Sequence, residues 1–197
     1  KVLDMMDEYD LWKDTMLIVN TDHGFMLSQH NWWGKMMMPY YNELAHTPLF
    51  VWDPRTGVCG ERRQALVQTI DLAPTLLEYF GLPIPADMEG RPLRETIESD
   101  KKIRDYALFG QHGIHVNITD GRYVYMRCPM PDKEQELFNY VVEPTSYPGA
   151  ITVEELKTAV LHGGFSFTKG CPMLRIKGGY GIRTLGFTPR SLMEYGT

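Results

Sequence analysis

Asp22 and His23 stand side by side at the end of the apolar run Thr15-Met16-Leu17-Ile18-Val19-Asn20-Thr21, and Gly24 follows them. Aspartate offers a hard oxygen ligand and histidine a borderline nitrogen, so the pair can face one divalent cation from the end of a strand. The same Asp-His-Gly triplet also suits a solvated turn, because aspartate bonds readily to the backbone just beyond it. Of the cysteines, Cys59, Cys128 and Cys171 lie far apart with no CxxC spacing. They suggest neither a disulfide framework nor a thiolate metal site.

The elements around the pair read as α/β. Residues 1–12 have helical apolar spacing at Val2, Met5, Met6 and Tyr9, and Asp14 opens a turn. No capping residue precedes that helix and no leader pattern is visible, so the chain is expected to enter mid-element. The run 15–21 is short and β-branched, which predicts a strand buried on both faces of a sheet. In such sheets chemistry collects beyond the carboxyl ends of strands. Residues 25–45 form a long connection rich in aromatics, methionine and histidine, and long loops are often functional. Within it, Trp32, Trp33 and Met36-Met37-Met38 read as packing, with an apolar rim to a ligand pocket as the sharper alternative.

Pro48 to Trp52 predicts a second strand, and Ala65 to Gln68 a third. Asp71 reads as the N-cap of a helix over 72–80 that buries Leu72, Leu76, Leu77 and Phe80, with Gly81 as its stop. Residues 82–104 are rich in proline and charge and read as a linker. Tyr106 to Phe109 is a strand candidate. His115 to Met126 reads as a hairpin turning at Asp120-Gly121. His112 and His115 flank a strand there and are taken as structural. Thr152 to Glu155 matches a capping box before a helix from Leu156 to Leu161. The Gly-rich last 30 residues suggest no element.

The 197 residues are 43% hydrophobic and 23% charged, an ordinary globular composition that argues against disorder. A net charge of -5 without a Lys/Arg stripe argues against a nucleic-acid partner. No apolar run approaches the roughly 20 residues that span a bilayer, so no membrane partner is expected.

The ordered set Asp22-His23-Gly24, His30, Trp32-Trp33-Gly34-Lys35, Ala45-His46-Thr47-Pro48-Leu49, Asp71-Leu72-Ala73-Pro74-Thr75-Leu76 and Gly90-Arg91-Pro92-Leu93 resembles the C-terminal half of sulfatases in the alkaline-phosphatase superfamily. The likeness covers about residues 10–93. It is looser over the hairpin and Glu136-Leu137-Phe138-Asn139, which are similar to that family's small C-terminal domain. The Asp-His form is closest to iduronate sulfatases and phosphonate monoester hydrolases.

The resemblance implies the C-terminal part of a sulfatase-like mixed sheet with flanking helices in residues 1–93. A linker over 94–104 and a small antiparallel sheet plus helix over 105–197 would follow. It implies Asp22 and His23 as ligands of a divalent cation, calcium foremost, with manganese or magnesium as alternatives. Lys35 would contact the transferred sulfuryl group, as a compact point charge suited to its oxygens. His46 would lie near substrate, and His30 would support the site.

The family's nucleophile, a Cys or Ser in Cys/Ser-x-Pro-x-Arg, does not occur before Asp22. Cys171-Pro172-Met173-Leu174-Arg175 imitates it with the proline displaced, on the wrong side of the metal pair, and is rejected. The chain alone is therefore expected to be inactive. The substrate would be a small-molecule or sugar sulfate ester, and either a preceding part of the protein or a second copy would cover the open sheet edge. Phosphonate monoester or phosphodiester hydrolysis, a non-catalytic relative and a purely structural domain are the alternative readings.

Overall fold

The computed structural model describes residues 1–35, 38–111, 115–127, 138–143, 145–146, 149–177 and 190–194. Helix α1 (Val2–Glu8) ends where Asp10 takes a left-handed conformation at φ 53°, and a tight turn over Leu11–Lys13 follows. The helix expected over 1–12 is thus broken in two, because the left-handed residue cannot continue a right-handed helix. Strand β1 (Leu17–Asn20) leads to the Asp22-His23 loop. A hairpin of β2 (Met26–Leu27) and β3 (Trp33–Gly34) comes next, then α2 (Asn42–Ala45) and β4 (Leu49–Trp52).

β1 and β4 pair antiparallel, with Leu17 opposite Trp52 and Asn20 opposite Leu49. This ladder is fastened from behind. Trp52 Nε1 donates to the Trp12 carbonyl at 2.9 Å, and the two indoles meet edge to face. The expectation that β1 is buried on both faces does not hold. Val19 is 49% and Phe50 67% exposed, and among the described residues β1 pairs with β4 alone.

The core nearest the Asp22-His23 loop consists of Met26, Met38 and Leu44, with Trp32, Tyr40 and Tyr41 packed against them. The methionine run contributes to this packing through Met38, while Met36 and Met37 lie outside the described residues.

Helix α3 (Leu72–Tyr79) forms where expected, but its buried residues are Pro74 and Thr75, whereas Leu76 and Phe80 are exposed. Asp71 does not cap it. Its buried carboxylate instead accepts the N–H groups of Gln68 at 2.7 Å and Arg91 at 2.9 Å and pairs with the Arg104 guanidinium. Thr75 Oγ1 donates to the Asp71 carbonyl at 2.6 Å and accepts from Leu93 N–H at 3.0 Å. The side of α3 facing this network is therefore the one buried.

Residues 65–68 are not a strand, because carboxylates occupy their amides: Ala65 N–H is bound by Asp100 at 2.9 Å and Gln68 N–H by Asp71. The stretch read as a linker contains helix α4 (Arg94–Ser99).

Beyond it, β5 (Ala107–Gln111), β6 (His115–Thr119) and β7 (Tyr123–Arg127) form an antiparallel meander through the expected Asp120-Gly121 turn. Asp120 accepts the N–H groups of Arg122 and Tyr123 at 2.9 and 2.7 Å, and Gly121 takes φ 94°. The meander docks on the loop bearing the core: Asn117 Nδ2 donates to the Tyr40 carbonyl at 3.4 Å, and Phe109 packs on the Tyr40 ring. His112 lies outside the described residues, whereas His115 is buried.

Strand β8 (Phe138–Val141) and a short pair, β9 (Thr145–Ser146) with β10 (Gly149–Ala150), precede α5 (Val153–Leu156). Thr152 and Glu155 make the expected capping box. The helix expected to continue to Leu161 stops at Leu156, and Val160–His162 instead forms β11. Its partner β12 (Met173–Lys177) and the last strand, β13 (Arg190–Glu194), come from the tail in which the sequence suggested no element. β12 lies between β11 and β8, and β13 pairs with β7. Val160 and Leu161 follow the ladder bonds available from β12, which outweigh a weak local preference for helix.

Candidate functional site

The Asp22-His23 loop is held against α2 by its glycine. Gly24 N–H donates to the Leu44 carbonyl at 2.9 Å. Because Asn20 pairs with Leu49, the residues that follow β1 and those that precede β4 emerge at the same end of the ladder. This brings the Asp22-His23 loop and the His46–Pro48 segment together.

Asp22 is largely exposed. Desolvation pushes its carboxyl up, but the His23 N–H at 2.9 Å, the His23 ring and the Thr21 hydroxyl together hold it below the usual carboxylate range. It is therefore an anion at neutral pH.

His23 Nδ1 lies 2.8 Å from the Gly24 carbonyl. A carbonyl only accepts, so Nδ1 carries the proton, and in the neutral ring Nε2 is left with a lone pair. Two groups surround that lone pair: Lys35 Nζ at 2.7 Å and Asp22 Oδ2 at 3.2 Å. The Lys35 ammonium only donates, so it occupies the Nε2 lone pair, and a cation shared by Asp22 Oδ2 and His23 Nε2 would take the place the ammonium now holds. Asp22, His23 and Lys35 thus form a small cluster in which a carboxylate and an ammonium face one imidazole nitrogen.

The five residues singled out from the sequence are placed differently. Asp22, His23 and Lys35 converge. His46 is exposed at the end of α2, where its N–H bonds the Asn42 carbonyl at 2.8 Å; the fold brings its segment close, but no contact joins its ring to the cluster. His30 faces α2, stacked on Tyr41 at 4.1 Å with Nε2 3.3 Å from Glu43 Oε1. Its backbone is strained, as are those of Ser28 and Asn31, all with positive φ. A tight two-strand hairpin imposes this conformation.

Sequence reasoning passed over Tyr40 and took Gly24 only as part of the Asp-His-Gly triplet. The Tyr40 hydroxyl is pushed up by burial first and by the Asp22 carboxylate second. The glycine directly after the Asp-His pair was the only local signal for the close approach to α2. Among the described residues no group of three or more His, Cys, Asp or Glu side chains gathers to hold a metal ion.

Comparison with known proteins agrees with this architecture. Residues 28–158 match the family model described as N-sulphoglucosamine sulphohydrolase, C-terminal. The N-acetylglucosamine-6-O-sulfatase of Bacteroides thetaiotaomicron is 28% identical over 102 residues, covering 52% of this chain and 18% of that protein. The arylsulfatase of Clostridium perfringens is 27% identical over 164 residues, covering 79% of this chain and 33% of that protein. The solved phosphonate monoester hydrolase of Silicibacter pomeroyi superposes with a TM-score of 0.57 at 27% identity, over 64% of this chain and 29% of that one. The chain thus spans between about a fifth and a third of the relatives it matches. The expected α/β fold of the sulfatase type is the fold observed. The chain belongs to the N-sulphoglucosamine sulphohydrolase C-terminal family, among the sulfatases of the alkaline-phosphatase superfamily.

Proposed function

We propose that this chain contributes part of the cation site and the anion contact of a sulfuric ester hydrolase. The observation that carries the reading is the convergence of Asp22 Oδ2 and Lys35 Nζ on His23 Nε2, at 3.2 and 2.7 Å. Asp22 and the lone pair of His23 would hold a divalent cation, calcium first, with manganese and magnesium as alternatives. Such an ion, when bound, supplies Lewis-acid stabilisation of charge on the ester oxygens. Lys35 would bind a sulfuryl oxygen, and His46, from the adjoining segment, would face the substrate. His30 holds the hairpin to α2 through Tyr41 and Glu43 and so supports the loop from behind.

With two cation donors and, among the described residues, no nucleophile placed beside them, the chain alone would not turn over substrate. The remaining donors would come from another part of the same protein or a second copy packed against the open face around Val19 and Phe50. The phosphonate monoester hydrolase likeness supports a second reading, in which the transferred group is a phosphonate or phosphate.

Calcium titration by calorimetry tests the site. Asp22→Ala and His23→Ala are each expected to weaken calcium binding at least tenfold while leaving the fold intact, and unchanged binding in both would overturn the reading. Turnover of an aryl sulfate or aryl phosphonate by this chain alone would overturn the incomplete site.

A further inference from the structure

The β2–β3 hairpin has two unlike faces. Met26 points inward and is wholly buried with Met38 and Leu44. Phe25 and Leu27 beside it, and Trp33 across the ladder, are 47%, 57% and 72% exposed. Leu27 pairs with Trp33 while Met26 pairs with Gly34, so period-two alternation puts Phe25, Leu27 and Trp33 on the same outer side. The Phe25 and Trp33 rings meet edge to face, with centroids 6.4 Å apart at 90°.

That contact lies at the end of the two-pair ladder, and the His23–Lys35 contact joins residues two positions further along each of the two segments. The aromatic pair and the charged pair are therefore neighbours along the two segments. An anion held by Lys35 therefore has a contiguous apolar strip beside it.

Three large apolar side chains exposed together at a charged site differ from singly scattered ones, which need no explanation. The polar content of the strip decides what it suits. Its one side-chain polar atom is the Trp33 indole nitrogen, and the nearby Gln29 Oε1 already accepts the Leu27 N–H at 2.5 Å. A saccharide laid here would leave most hydroxyls without partners, which is costly once water is excluded. A flat aromatic ring would lose nothing and would gain stacking.

We infer that Phe25, Leu27 and Trp33 form the leaving-group platform of this site, and that it takes an aryl ester rather than a sugar ester. The inference rests on the proposed anion contact at Lys35.

Binding to the full chain, followed by the indole N–H signal of Trp33 and by calorimetry, separates the two claims. The probes are phenyl sulfate, methyl sulfate and a glucosamine O-sulfate. Phenyl sulfate is expected to bind about tenfold more tightly than methyl sulfate. That ratio should fall towards one in Trp33→Ala and in Phe25→Ala, whose amide spectra report whether the fold is kept. Lys35→Met should weaken both simple esters and preserve their ratio.

An unchanged ratio in Trp33→Ala, no preference for phenyl over methyl sulfate, or tighter Trp33-dependent binding of the glucosamine sulfate would each overturn the platform. A Lys35→Met variant that binds both esters normally, with the Trp33 dependence retained, would sink the anion contact and with it the leaving-group role, leaving Trp33 as an aryl contact alone.

Discussion

A side chain on Gly24 would collide with the backbone of Glu43: an ideal Cβ there would stand 1.7 Å from the Glu43 carbonyl oxygen. The loop carrying Asp22 and His23 lies so close on α2 that only glycine fits, and its N–H is spent on the Leu44 carbonyl at 2.9 Å. The obstacle is backbone, which cannot swing aside as a flexible side chain would.

Gly24→Ala is therefore expected to force the loop away from α2. The stability loss should reach at least the about 1–3 kcal/mol typical of overpacking, measured by urea unfolding. The His23 ring nitrogens should shift in NMR spectra as their contacts to the Gly24 carbonyl and Lys35 lengthen. A variant with normal stability and an unmoved His23 would refute the clamp.

The buried Asp71–Arg104 pair holds α3 to the segment after α4. Asp71→Ala removes a buried carboxylate and leaves the Gln68 and Arg91 N–H groups and the Arg104 guanidinium unpaired. A loss of about 3–5 kcal/mol is expected by chemical denaturation. Replacing both partners with leucine should cost clearly less than the two single changes added together, as a double-mutant cycle would reveal. Burial pushes the Asp71 carboxyl up, yet Arg104 and the two backbone donors hold it below its ordinary value of 3.8. A lowered carboxylate stabilises the fold fully above the ordinary value, and that contribution fades as pH falls through the folded one.

His115 predicts a second pH dependence at milder acidity. Burial inside the meander lowers its pKa from the ordinary 6.5. The folded protein then binds fewer protons than the unfolded chain between the two values. Stability should be level above about pH 6.5 and decline below it as the unfolded state captures the proton. Denaturation midpoints measured between pH 8 and 5 test this, and in His115→Phe the decline should flatten. An identical slope in both proteins would assign the effect elsewhere.

What could be read in advance depended on the range of the forces involved. The Asp-His-Gly triplet after an apolar run, the Asp120-Gly121 turn and the Thr152–Glu155 box are local chemistry, fixed by neighbours within a few residues. The family likeness was legible for the same reason, since it rests on short motifs in order. The errors fell where distant partners decide. Ala65 to Gln68 had the residues of a strand, but Asp100 and Asp71 took their amides. Val160 and Leu161 had the residues of a helix end, but β12 offered a ladder.

By itself the sequence singled out Asp22, His23 and Lys35 as groups whose chemistry suits a cation or an anion, and the strand that leads to the first two. Only the tertiary structure decided that His23 and Lys35 meet while His46 stands apart, and that Phe25 and Trp33 share the surface beside them. A contact between residues 12 apart depends on how a hairpin twists and what its other face buries, and local sequence encodes neither.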